Sequence, residues 1–92
     1  MSAEILEEIF EVIKSRKRDL PPNSYVAKLI KSGKTPDKIR EESEEIIEAA
    51  AKGGKQEVVH EAADLIFHTM VLLAEKGVEL KEVMEELKRR RR

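Results

Sequence analysis

The 92-residue chain has no cysteine and no tryptophan, and only three aromatic side chains in all: Phe10, Tyr25 and Phe67. Without cysteine there can be neither a disulfide nor a thiolate metal site. An excess of one charge is missing as well, since 18 basic residues face 19 acidic ones for a net charge of −1. Proteins that bind nucleic acid or anionic membranes carry a basic excess, so neither partner is expected. No apolar run approaches the ~20 residues of a membrane span. The segment Met1-Ser2-Ala3-Glu4-Ile5-Leu6-Glu7-Glu8 is acidic and amphipathic. It has neither the basic flank nor the apolar stretch of a secretory leader, so a soluble cytoplasmic domain is expected. There is no internal repeat and no stretch that reads as a linker. Residues 1–92 form one domain, large enough for a core but small for stability on its own.

What the chain does have is charge, 40% of its residues, laid out at helical spacing. Ion-pair networks of the kind found in heat-adapted proteins would account for so large and balanced a fraction. Apolar residues recur at Ile5, Leu6, Ile9, Phe10, Val12 and Ile13, predicting a helix over 3–18 that Ser2 caps and Leu20-Pro21-Pro22 ends. Asn23 or Ser24 caps a short second helix carrying Tyr25, Val26, Leu29 and Ile30, which stops at Ser32-Gly33. Thr35-Pro36-Asp37 restarts the chain, with a capping threonine and a proline at the first helical position. The third helix then runs to Lys52, and Gly53-Gly54 breaks it. A fourth covers 55–76 and a fifth 80–90. Nothing reads as a strand. The expected fold is all-α, four to five helices forming a bundle.

The fourth helix is apolar around most of its circumference, from Val58 and Val59 through Leu65, Ile66 and Phe67 to Leu73 and Ala74. It should be buried on several sides. A bundle this small cannot enclose such a helix, so a homodimer or higher homo-oligomer is expected to complete the core.

Two acidic motifs interrupt this pattern: Glu41-Glu42-Ser43-Glu44-Glu45, and Glu61-Ala62-Ala63-Asp64 beyond the Gly-Gly break. Each places carboxylates three or four residues apart, which point the same way from a helix. On the fourth helix Glu57, Glu61, Asp64 and His68 fall within an arc of about 60°. On the third, Lys38, Glu41, Glu42, Glu45 and Lys52 share one face beside Ile39, Ile46 and Ala50. Taken alone, the glutamates of the third helix read more readily as solvated surface than as a site. Glu61 and Asp64 stand in the middle of the most apolar segment, where aspartate contributes little to helix stability. If the two helices pack antiparallel, the carboxylates converge. Such a cluster calls for a hard cation such as Mg²⁺, and so for phosphate chemistry.

This combination resembles the all-α nucleoside triphosphate pyrophosphohydrolases, which bind Mg²⁺ with paired acidic motifs. Three segments look like the phosphoribosyl-ATP pyrophosphohydrolase family in particular: Ser24-Tyr25-Val26-Ala27-Lys28-Leu29, Lys38-Ile39-Arg40-Glu41-Glu42-Ser43-Glu44-Glu45, and Glu61-Ala62-Ala63-Asp64-Leu65-Ile66-Phe67-His68. The likeness runs from about Ile5 to Leu87. One position departs: the family commonly has glycine where this chain has Arg40, a cation that either faces solvent or meets a substrate phosphate.

The resemblance implies hydrolysis of the α–β phosphoanhydride of phosphoribosyl-ATP, giving phosphoribosyl-AMP and pyrophosphate, the second step of histidine biosynthesis. It also implies Mg²⁺ as cofactor, with Glu42, Glu45, Glu61 and Asp64 as ligands and Glu41 holding or deprotonating the attacking water. Lys28, Lys38 and Lys52 are the candidate phosphate contacts. Tyr25 is a candidate for stacking on the adenine, with core packing as the other reading. His68 would orient a carboxylate, bind phosphate or serve the structure alone. His60 projects off the acidic arc and is assigned no role. Arg89-Arg90-Arg91-Arg92 suits a helix C-terminus. Two other functions fit the same residues less fully. One is a house-cleaning hydrolase of the same superfamily acting on another nucleoside triphosphate. The other is a non-catalytic helical dimerisation module.

Overall fold

A computed structural model describes residues 4–91. Its five helices are α1 (Glu4–Asp19), α2 (Tyr25–Ser32), α3 (Thr35–Lys52), α4 (Lys55–Glu75) and α5 (Leu80–Arg90), with no strand among the described residues. The proposed Ser2 cap and the last arginine, Arg92, lie outside them.

Local chemistry sets most of these limits. The Ser24 hydroxyl accepts the Ala27 amide at 3.1 Å and opens α2. Gly33 closes α2 at φ 71°, a left-handed conformation that costs glycine little. Between α4 and α5 the Glu82 carboxylate accepts the Glu79 amide at 3.0 Å, half of a capping box. Thr35 does something other than cap. The cap position of α3 falls on Lys34, and Thr35 is fully buried with its hydroxyl donating to Glu75 of α4. A threonine at a helix start is thus used to tie two helices together.

Helices α3 and α4 form an antiparallel hairpin, as three pairings between them require: Thr35 with Glu75, Glu42 with His68, and Glu45 with Glu61. Numbers that rise along one helix fall along the other. Helices α1 and α2 pack on the C-terminal half of α4, so the core comprises Phe10, Ile13, Val26, Leu29, Met70, Val71, Ala74 and Leu80. The Lys17 ammonium donates to the Ala74 carbonyl at 2.9 Å, complementing the negative end of α4.

Helix α4 is less enclosed within one chain than its composition predicts. Only His68, Met70, Val71 and Ala74 are buried. Val59, on the N-terminal half of α4 that rests on α3, is 63% exposed, and Ile66 is 49% exposed. Ile66 joins Leu6, Leu65, Met84 and Leu87 in lining an apolar groove of about 430 Å³ between α1, α4 and α5. No helix among the described residues is long and apolar enough to cross a membrane.

Candidate active site

The acidic motifs face each other across the α3–α4 hairpin near its middle. Glu42 is 4% exposed, and its Oε1 lies 2.6 Å from Nδ1 of His68. That nitrogen also stands 3.0 Å from the Asp64 carbonyl oxygen. Both neighbours only accept hydrogen bonds, so Nδ1 carries the proton. On the far side of the ring, Nε2 is 2.7 Å from the Tyr25 hydroxyl.

The remaining carboxylates are closely spaced. Glu45 is held above its ordinary value of 4.5, first by lost solvation and then by the charge of Glu61 and a hydrogen bond with it. The buried Oε1 of Glu61 has no hydrogen-bond partner among the described residues. An orphaned buried carboxylate oxygen is costly and marks a position where a cation would be accommodated. Asp64 Oδ2 is 3.3 Å from Nε2 of His60. His60 lies off the acidic arc, and its i,i+4 spacing from Asp64 is the local signal for this contact. Glu41 pairs with Lys38 at 2.9 Å, and that hydrogen bond is the main reason the Lys38 ammonium is held above its usual value.

The Tyr25 phenol lies within the field of this group. Burial pushes its hydroxyl up, the Lys38 charge pulls it down, and Glu42, Asp64 and Glu41 push it up again. Tyr25, Lys38, Glu41, Glu42, Glu45, Glu61, Asp64 and His68 therefore share one site.

Two candidates make no contact with it among the described residues. Lys52 pairs with Glu48 at 3.3 Å near the end of α3. It shares a helical face with Glu45 but lies about 10 Å further along the axis, a distance that angular projection hides. Lys28 is exposed on α2, and no hydrogen bond or ion pair among the described residues ties it to the cluster. Arg40 is 72% exposed beside Asp37 at 3.4 Å, so the departure at this position is a solvent-facing side chain.

The donor set suits a hard divalent cation: carboxylates from two antiparallel helices, one oxygen of which is buried without a hydrogen-bond partner among the described residues. As arranged here, no three of the acidic and imidazole groups among the described residues surround a single point at ligating distance. Glu42 turns to His68, Asp64 to His60 and Glu41 to Lys38.

Five helices with an acidic centre shared by two of them define an all-α protein built around pooled carboxylates. The chain belongs to the phosphoribosyl-ATP pyrophosphohydrolase family, whose model matches residues 6–91. A phosphoribosyl-ATP pyrophosphatase of Methanopyrus kandleri is 46% identical, over 97% of this chain and 96% of its own. One from Metallosphaera sedula is 45% identical, over 95% of this chain and 96% of its own. One from Methanocella arvoryzae is also 45% identical, over 98% and 99%.

Proposed function

We propose that this chain is a cytoplasmic, Mg²⁺-dependent phosphoribosyl-ATP pyrophosphohydrolase of histidine biosynthesis, acting as a homodimer. It hydrolyses the α–β phosphoanhydride to phosphoribosyl-AMP and pyrophosphate. The near full-length relation to phosphoribosyl-ATP pyrophosphatases supports the substrate. The observation that carries the metal reading is the buried Oε1 of Glu61, opposite Glu45 and without a hydrogen-bond partner among the described residues.

Glu42, already held by His68, would hold the cation together with Glu45, Glu61 and Asp64, which turn towards it. When bound, Mg²⁺ neutralises the triphosphate and stabilises the pyrophosphate leaving group. Glu41 is half-exposed, so it is free to hold a water in line with the α-phosphorus and accept its proton. Lys38, now paired with Glu41, is the cation that exchanges this partner for a substrate phosphate. Hydrolysis by a positioned water needs no covalent nucleophile. Apolar side chains left on the outer faces of α1, α4 and α5, including Ile5, Ile66 and Leu87, support the dimer.

The deciding assay offers phosphoribosyl-ATP beside a panel of nucleoside triphosphates, with Mg²⁺ or with excess EDTA. Pyrophosphate should appear from phosphoribosyl-ATP only when Mg²⁺ is present. Undiminished release in EDTA would refute the metal, orthophosphate the bond cleaved, and preference for another triphosphate the substrate.

A further inference from the structure

Tyr25, His68 and Glu42 come from α2, α4 and α3 respectively and stand in one hydrogen-bonded line, at 2.7 Å and 2.6 Å. The direction of each bond follows from the groups. Glu42 and the Asp64 carbonyl can only accept, so Nδ1 of His68 donates; in the neutral ring Nε2 then accepts from the Tyr25 hydroxyl. The ring is also held by its neighbours. Phe67 meets it edge-on at 5.3 Å and 88°, and Tyr25 at 5.7 Å and 78°. Two of the three aromatic side chains in the protein are placed against this one imidazole.

We propose that His68, supported by Tyr25, is a positioning residue that sets the orientation of the Glu42 carboxylate for the cation, and that neither is a substrate contact. The inference rests on the metal reading of the site. A carboxylate whose Oε1 is held by His68 has only its other oxygen to offer. It therefore enters the site already oriented, without the loss of rotamer freedom an unheld glutamate would suffer on binding. The line runs from a phenol 50% exposed to an imidazole 5% exposed and a carboxylate 4% exposed. Its anchored end is thus the one nearest the proposed cation, and its solvent end is Tyr25. Tyr25 engages the site through its hydroxyl, which a stacking platform for adenine would leave unused.

The experiment measures Mn²⁺ binding to the full chain without nucleotide, by electron paramagnetic resonance, for variants whose melting curves show them folded. Asparagine at 68 places an amide N–H close to where Nδ1 stands, whereas glutamine places its amide near Nε2. His68→Gln should weaken Mn²⁺ binding by about 10- to 100-fold, and His68→Asn should stay within about threefold of the unaltered protein. Tyr25→Phe keeps the ring and loses the hydroxyl. It should weaken binding several-fold, and should have no effect in the His68→Gln background, because it acts through the imidazole. In turnover, the Mg²⁺ needed for half activity should rise while KM for phosphoribosyl-ATP holds. Equal Mn²⁺ affinity for His68→Gln and the unaltered protein overturns the proposal. So does a Tyr25→Phe variant with raised KM and unchanged Mn²⁺ binding, and this second test stands even if both His68 variants fail to fold. If the unaltered protein binds no Mn²⁺, the metal reading itself falls, a result distinct from either of these.

Discussion

Glu42 and His68 face each other from α3 and α4 at 2.6 Å, with side chains 5% and 6% exposed. No other acid–base pair among the described residues is buried on both sides. The remaining pairs are at least a third exposed on one partner or both, so solvent and salt screen them and each contributes little. Removing one member of the Glu42–His68 pair leaves the other buried without its hydrogen-bond partner, at a cost of about 1–3 kcal/mol. Against a total stability of about 5–15 kcal/mol, that loss is large. Isosteric replacements are therefore the informative ones at this position.

Neutralising the acidic centre should abolish activity while leaving the fold intact. Glu61→Gln and Asp64→Asn keep size and hydrogen bonding but remove the charge, and turnover should fall by at least about 100-fold. The metal-free protein should melt at the same temperature or higher, since Glu45 is already strained by its neighbour Glu61. The rise in melting temperature on adding Mg²⁺ should vanish. Glu44→Gln, at an exposed position of α3, is the matched control and should change stability by less than about 0.5 kcal/mol. Near-full turnover in Glu61→Gln, or equal damage from Glu44→Gln, would refute the site.

The role of Thr35 separates a helix cap from an inter-helix tie. A cap tolerates aspartate as well as threonine. Buried against the Glu75 carboxylate, Thr35→Asp should instead destabilise by several kcal/mol. Thr35→Val keeps the shape but leaves Glu75 without its donor, and should cost about 1–3 kcal/mol. Urea unfolding that finds Thr35→Asp as stable as the unaltered protein would restore the cap.

Assembly can be tested at the exposed apolar face. Light scattering at micromolar concentration should give at least twice the chain mass. Ile66→Glu places a charge in the groove that Leu87 also lines, and should shift the protein towards monomer. A stable monomer before any substitution would exclude the dimer.

One pH effect follows at α5. Hydrogen bonds from Arg89 and Arg90 hold the Glu86 carboxyl below its ordinary value of 4.5. A depressed folded value means the unfolded chain takes up the proton first. The stabilisation is therefore present above 4.5 and is lost as pH falls through the lower folded value. Glu86→Gln should lower the melting temperature slightly near neutral pH and low salt, with the difference closing in acid. Because these groups are exposed, raised salt should erase it. A difference that persists at low pH would assign the effect to packing instead.

Much of this architecture is legible in the sequence because helix ends are local events. Ser24, Gly33, Gly53 and the apolar spacing of α1 act within a turn of themselves, so they can be read without knowing what lies opposite. The acidic face is legible for the same reason, since residues three or four apart on a helix share a direction. Partner choice is another matter, and only the packing of the helices on one another decided it. A helical projection yields the angle of a side chain, but not its height along the axis, its rotamer, or what the neighbouring helix presents to it. Hence Lys52 shares the face of Glu45 yet pairs with Glu48 further along α3, and Thr35 is buried against Glu75 instead of capping α3. Hence too Tyr25 and His68, 43 residues apart, meet at 2.7 Å beside Glu42. The sequence by itself determined five helices and two sets of carboxylates; the antiparallel packing determined which of those carboxylates is held in place and which is left with an unsatisfied oxygen.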